Sequence, residues 1–204
     1  MSNGSGSVVA VYRYPVKGLS AEAMDRVVLT PGECLPHDRR FAIALDSTRF
    51  DPEQPEWLPK THFIMLMRDE KLAQLRTRFD AESGVLAIDE NDRVLLRAQI
   101  TAAKGCELVA EFFTNFLSDA TTGPLRVVEA PGHAFADARR KPNATTDKYV
   151  SLINHASLAA LEAVTASRWI LSDFARTSIS MEYRPGVSTT GSTLKSPSER
   201  RGCG

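Results

Sequence analysis

Short apolar runs, the first two of them stopped by proline, indicate that this chain forms a β-rich fold. Residues 8–14 are rich in β-branched and aromatic side chains and end at Pro15, and residues 25–30 stop at the turn dipeptide Pro31-Gly32. Runs of this length and composition predict strands. Further strands are predicted at 41–46, 125–128 and 149–154, together with a hairpin formed by 84–88 and 93–100.

Three segments carry apolar residues at helical spacing. Residues 70–79 place Leu72, Leu75 and Phe79 on one face of a helix, and 102–117 and 156–164 show the same periodicity. The sequence therefore predicts a mostly β fold with helices (α+β), a barrel or sheet with helical decoration.

Composition and charge argue against several classes of function. Lys plus Arg and Asp plus Glu number 25 each, so the net charge is zero and a nucleic-acid partner is not predicted. No apolar run approaches the roughly 20 residues of a membrane helix, and residues 1–7 lack the order of a signal peptide. The three cysteines form no CxxC pair, which argues against a zinc knuckle or a disulfide framework. We expect a cytoplasmic protein with no membrane partner that acts on a small molecule.

Cations beside two predicted strands are the first candidate site residues. Lys17 follows the strand that ends at Pro15, where its ammonium could hold an oxyanion; an exposed turn lysine is the alternative. Arg39 and Arg40 follow Asp38, and arginine suits bidentate phosphate or carboxylate recognition; a surface ion pair with Asp38 is the alternative.

Polar residues at a predicted helix start are the second candidate. Backbone N–H groups there, with the side chains of Asn154 and Ser157, would form an anion pocket. Ordinary N-capping by Asn154 is the alternative. Residues 186–193 have the glycine spacing of a phosphate-binding P-loop, but Ser192 replaces its lysine and no apolar strand precedes it, so this motif is rejected.

Three stretches, in this order, resemble a known family: YRYPVKGLS, DRVVLTPGECLPHDRRFAIALD and YVSLINHASLAALE. They are similar to the MOSC N-terminal β-barrel domain followed by the opening of a MOSC domain. The resemblance implies binding of the molybdenum cofactor, a pterin that carries a phosphate, by Lys17, Arg39, Arg40, Asn154 and Ser157. By position, Lys17 and Arg39 resemble the residues that grip the pterin phosphate, and Ser157 resembles a cofactor-contacting serine. Pyridoxal phosphate also accompanies this family, but no Schiff-base lysine context is found, so it is not assigned.

The resemblance breaks after LAALEAVT, where the family continues with a motif like DPLRFRANI. Reading the third base of each codon with the first two of the next forces Asp across Trp169-Ile170 and Gly across Met181-Glu182. With permitted choices elsewhere, residues 169–182 become DPLRFRANIHFDG. We hypothesise a frameshift near 165–168. The predicted domains are thus an N-terminal β-barrel domain (7–130), the start of an incomplete MOSC barrel (145–166) and an aberrant, disordered tail (167–204).

The family implies a molybdenum-dependent oxidoreductase that reduces N-hydroxylated or related small molecules, with electrons from a separate protein. Cys203 lies in the aberrant tail and is not assigned as a metal ligand, and no catalytic residue is assigned. With the metal-ligand region missing, the chain's own enzymatic activity is left open. A carrier of sulfur or cofactor and a non-catalytic β-barrel binding module are the alternatives.

Overall fold

The computed structural model describes residues 4–121, 123–130, 132–137, 151–165, 178–185 and 193–195. Its strands are β1 (Gly4–Arg13), β2 (Glu22–Met24), β3 (Arg26–Val28), β4 (Phe41–Ala44), β5 (Leu75–Asp80), β6 (Val85–Glu90), β7 (Arg93–Gln99), β8 (Arg126–Glu129), β9 (Ser151–Asn154), β10 (Ser178–Pro185) and β11 (Thr193–Lys195). Its α-helices are α1 (Ala103–Phe116) and α2 (His155–Thr165), and short 3-10 helices cover Lys60–His62 and Glu70–Gln74. The predicted mostly β fold with helices is confirmed.

The strands form four sheets, with orders β2-β1-β10-β9, β11-β3, β4-β8 and β5-β6-β7. None of these sheets closes into a ring over the described residues. The chain divides into two compact units. The first takes in Met1–Arg13, Ala23–Pro36 and Thr145–Gly204, and the second takes in Tyr14–Glu22 and His37–Ala144.

Among the residues that the structure describes, the largest hydrophobic cluster lies in the second unit. Helix α1 packs against β7 and β8 and buries Val109 and Phe113, and Leu117, directly after its last residue, is buried as well. These side chains meet the fully buried Phe41 and Ile43 of β4 in one hydrophobic cluster. The helix predicted over 102–117 is confirmed because its apolar face is the face that this core covers.

The predicted hairpin is confirmed as β6 and β7. The strands pair from Glu90↔Arg93 outward to Val85↔Gln99. Asn91 and Asp92 form the turn with φ of 49° and 62°. Two consecutive left-handed residues match the twist of the paired strands, and Asn and Asp tolerate this conformation better than most residues.

The helix predicted over 70–79 is wrong. A 3-10 helix covers only Glu70–Gln74, and Leu75–Asp80 is strand β5, which pairs with β6. Leu75, Thr77 and Phe79 are buried while the residues between them are exposed. Residues four apart share a face in a strand as well as in a helix, so Leu75 and Phe79 fit both periods. The exposed charges at alternate positions favour the strand.

In the first unit, helix α2 has no buried residue. Strands β10 and β11 lie within 167–204, where the sequence predicts disorder; the rest of that range lies outside the described residues, and the domain bounds stay a prediction. Among the described residues, no helix combines the length and the apolar character needed to cross a bilayer.

We predict that Gly105→Ala destabilises the protein although alanine is the better helix former. A Cβ at this position of α1 would lie 1.9 Å from the Gln99 carbonyl oxygen, so the backbone must move. Overpacking of this kind costs about 1–3 kcal/mol, which exceeds the gain in helix propensity. Urea unfolding measures the difference, with Lys104→Ala in the exposed neighbouring position as the control that should change nothing. Equal stability of the two variants would contradict the packing argument.

Candidate functional site

Lys17 lies in a turn that is tied to the start of β4. Its backbone N–H donates to the Phe41 carbonyl (2.8 Å), and the Phe41 N–H donates to the Pro15 carbonyl (3.0 Å). Gly18 follows with φ of 79°, and a Cβ there would lie 2.6 Å from the Ile64 carbonyl oxygen. Glycine is therefore required for both the backbone conformation and the close approach.

The side chain of Lys17 is buried, so the alternative of an exposed turn lysine is wrong. The residue is 4% exposed. Its ammonium donates to the Phe135 carbonyl (3.0 Å) and to the Asp137 carboxylate, and it lies 5.8 Å from the centroid of the Phe63 ring. A buried ammonium needs such acceptors because its desolvation is costly.

The electrostatics of the pair follow from unequal burial. The Lys17 side chain is 5% exposed and that of Asp137 is 59% exposed. Burial lowers the pKa of Lys17 below its ordinary 10.5, and the hydrogen bond and charge of Asp137 oppose this shift only in part. Burial would raise the pKa of Asp137, but the hydrogen bond from Lys17 and the charges of Lys17, Arg39 and Lys60 outweigh it and lower that pKa below 3.8. Asp137 therefore remains a carboxylate at neutral pH.

Arg39 is held by its neighbour Asp38. The Arg39 guanidinium Nη1 donates to Asp38 Oδ2 (2.8 Å), while Asp38 Oδ1 accepts the backbone N–H of Tyr14 (2.8 Å). The predicted ion pair is present, but it is largely buried, with side chains 12% and 8% exposed. Arg39 also has φ of 49°, a left-handed conformation that its backbone bond to the Tyr14 carbonyl (2.6 Å) supports.

Arg40 makes a different set of contacts from Lys17. Its Nε donates to Glu129 Oε1 (2.6 Å), and its Nη1 lies 3.2 Å from Nδ1 of His37. The guanidinium also lies over the rings of Phe41 and Phe79, at 5.0 and 5.9 Å. The structure thus groups Arg40 with Glu129 and His37.

Sequence reasoning missed the residues that complete the surroundings of Lys17. Lys60 adds a third positive charge near Asp137, so we call Lys17, Arg39 and Lys60 the cation cluster. Phe135 and Asp137 supply the acceptors for Lys17 across 118 and 120 residues of sequence. No local pattern links positions this far apart. The one available signal was the proline-rich stretch before Lys60, since long irregular loops often serve function.

Asn154 and Ser157 belong to the first unit. Asn154 Oδ1 accepts the N–H of Ala156 (3.0 Å), so Asn154 is the N-cap of α2, as the alternative interpretation held. Ser157 is exposed in the first turn of this helix. Their role in cofactor binding stays a prediction.

The cation cluster fits an oxyanion such as a phosphate. The Lys17 ammonium already binds one carboxylate, that of Asp137, and the charges of Arg39 and Lys60 also act on it. Lys and Arg are the usual partners of phosphate oxygens. No group of three His, Cys, Asp or Glu that could hold a metal occurs among the described residues. The Cys106 thiol donates to the Ile100 carbonyl (2.9 Å), and burial raises its pKa, so it remains a thiol. Cys203 lies outside the described residues.

We predict that Asp38→Ala lowers the free energy of unfolding by about 2–4 kcal/mol, because it removes the carboxylate that accepts from a buried guanidinium and from the Tyr14 N–H. Asp119→Ala is the matched control, since Asp119 also accepts from a cation, Lys71 (2.7 Å), but at the exposed surface. Chemical denaturation should show no change for the control. An equal effect of the two substitutions would show that burial of Asp38 is not what matters.

One protein family matches by its sequence model, described as the MOSC N-terminal beta barrel domain, over residues 5–120. That range holds β1 to β7, helix α1 and the residues Lys17, Arg39 and Arg40. No significant match is found among curated proteins or among solved structures. The family match spans more than half of the 204 residues. The chain belongs to the MOSC N-terminal β-barrel domain family.

Proposed function

We propose that this protein is a molybdenum-cofactor-binding oxidoreductase of the MOSC family, and that Lys17 and Arg39 bind the phosphate of its pterin. The observation that carries the proposal is the buried ammonium of Lys17, which binds the carboxylate of Asp137, a group on which the charges of Arg39 and Lys60 also act. Such an arrangement is suited to an oxyanion. Membership of the family makes the pterin phosphate the best candidate.

Each residue of the proposed site has a separate task. Lys17 supplies a charge that burial protects from screening by salt, since its side chain is 5% exposed. Arg39 supplies a planar donor whose orientation Asp38 fixes. The rings of Phe63 and Phe135 exclude water, since both residues are buried in one cluster. When bound, the cofactor supplies two-electron redox chemistry, and the chain binds and orients it.

Further residues enter the proposal as supporting groups. Arg40 adds positive charge at the start of β4, and its pairing with Glu129 positions it. Asn154 and Ser157, at the N-terminus of α2, would contact the cofactor through backbone N–H groups and a hydroxyl. The reductant would be a separate electron-transfer protein, and the substrate an N-hydroxylated or related small molecule.

We further propose that residues 167–204 are read out of frame. The shifted reading of 169–182, DPLRFRANIHFDG, continues the resemblance that otherwise stops at LAALEAVT. The exposure of Leu161 (42%) and Val164 (85%) on α2 agrees with this idea, because the apolar residues of a helix are normally covered by the rest of its domain.

We predict that a protein with the frame restored near residue 165 carries molybdenum and pterin in about equal amounts when it is purified. Lys17→Ala in that protein should lower the cofactor content at least about tenfold, because a charge-assisted bond to a buried cation is lost. Metal analysis and the fluorescence of the oxidised pterin measure the two components.

Lys104→Ala is the control, since Lys104 is an exposed lysine within the same family match. Full cofactor content in Lys17→Ala would remove Lys17 from the proposed site. A restored protein that holds molybdenum but reduces no N-hydroxylated compound would be a carrier instead. A restored protein without molybdenum would be a binding module.

A further inference from the structure

Residues 132–137 run past the cation cluster and are fixed there through their backbone. The Phe135 N–H donates to the Arg39 carbonyl (2.9 Å), and the Phe135 carbonyl accepts from the Lys17 ammonium (3.0 Å). The next carbonyl, of Ala136, accepts from Trp57 Nε1 (3.1 Å). Three contacts on two successive residues therefore fix the direction in which the chain leaves Phe135.

Phe135 anchors the same segment through its side chain. Its ring lies 5.1 Å from that of Phe50 and 5.5 Å from that of Phe63, and it is buried. Contacts between aromatic rings at these separations stabilise one orientation of the segment. These contacts hold Phe135 in place, and Asp137, two residues further along the chain, therefore lies beside Lys17.

Asp137 supplies the cluster with what a ligand would supply, an oxyanion. Its carboxylate accepts from Lys17 and interacts favourably with Arg39 and Lys60. Its side chain nevertheless stays 59% exposed, so solvent reaches the carboxylate. Because only the Asp137 side of the pair is open to solvent, an incoming anion with more charge can take the place of this carboxylate at the buried ammonium.

We propose that Asp137 is an internal competitor at the cation cluster, and that a phosphate-bearing ligand binds there by displacing its carboxylate. The inference rests in part on the proposed function, which takes the cluster to be an anion site. It goes further because Asp137 lies outside the range that matches the family, residues 5–120. Phosphate then binds only to molecules in which the Asp137 carboxylate has moved away from Lys17. The apparent affinity for phosphate therefore depends on the fraction of such molecules.

The size of the effect follows from this dependence. The apparent dissociation constant equals the intrinsic one divided by the fraction of molecules in which the site is open. If the carboxylate holds the cluster in most molecules, its removal raises the apparent affinity by about 3- to 10-fold.

Binding of inorganic phosphate to the full chain tests the proposal, by calorimetry or by phosphorus NMR titration. We expect Asp137→Asn to bind phosphate about 3- to 10-fold more tightly than the unchanged chain. Asp137→Glu, which keeps a carboxylate, should stay near the unchanged chain. Asp119→Asn, which makes the same change in net charge at another exposed carboxylate, should have no effect.

Three outcomes would overturn the proposal. Unchanged or weaker phosphate binding by Asp137→Asn would make the Lys17–Asp137 pair a structural contact only. Equal gains in Asp137→Asn and Asp137→Glu would show that the cause is disruption of the segment. Absence of phosphate binding in every variant would mean that the cluster is not an anion site.

The outcomes remain distinguishable from failure of the proposed function. A gain in Asp137→Asn that Lys17→Ala abolishes supports the competitor even if the frame-restored protein contains no molybdenum. Molybdenum in the restored protein together with an unchanged phosphate affinity in Asp137→Asn would leave the proposed function standing and remove the competitor alone.

Discussion

The buried ammonium of Lys17 is the constraint on which the candidate site depends. A lysine that is 4% exposed must find acceptors, because an unpaired charge away from water is strongly unfavourable. In the turn that carries Lys17, the carbonyls of Pro15 and Val16 already accept from the N–H groups of Phe41 and Leu19. The acceptors come from Phe135 and Asp137, so the position of Lys17 and the course of residues 132–137 are fixed by the same requirement.

Asp38 supplies the acceptor for the second cation, the guanidinium of Arg39. One oxygen of its carboxylate accepts from the Arg39 guanidinium and the other from the backbone of Tyr14, which joins two neighbouring segments of the unit. The family match covers Lys17, Asp38 and Arg39 but ends before Phe135. These three residues thus lie within the range that matches the family, whereas Phe135 and Asp137, the acceptors of Lys17, lie outside it.

Elements that depend on residues close together in the sequence could be predicted, whereas contacts between residues far apart in the sequence could not. The β6–β7 hairpin, helix α1 and strand β1 were predictable because their signals, turn residues and periodicity, lie within a few residues of one another. Residues 70–79 were mispredicted because Leu75 and Phe79 satisfy both periods, and pairing with β6 decided the outcome.

The candidate site was predictable only in part, for the same reason. The residue types Lys17 and Arg39 could be chosen from their positions beside strands. The burial of Lys17, by contrast, depends on partners more than 100 residues away, which no local pattern encodes. Lys60 and Asp137 were missed because each is an ordinary charged residue outside the strands and helices that the sequence predicts, and only the fold brings it near the others.

The left-handed backbone of Arg39 implies a compromise between stability and charge. At φ of 49° a side chain crowds its own carbonyl, which costs on the order of 1 kcal/mol that glycine would avoid. As far as the backbone conformation is concerned, arginine at this position is therefore less favourable than glycine. What arginine adds in return is its charge, which Asp38 holds in a buried pair and which acts on the carboxylate of Asp137.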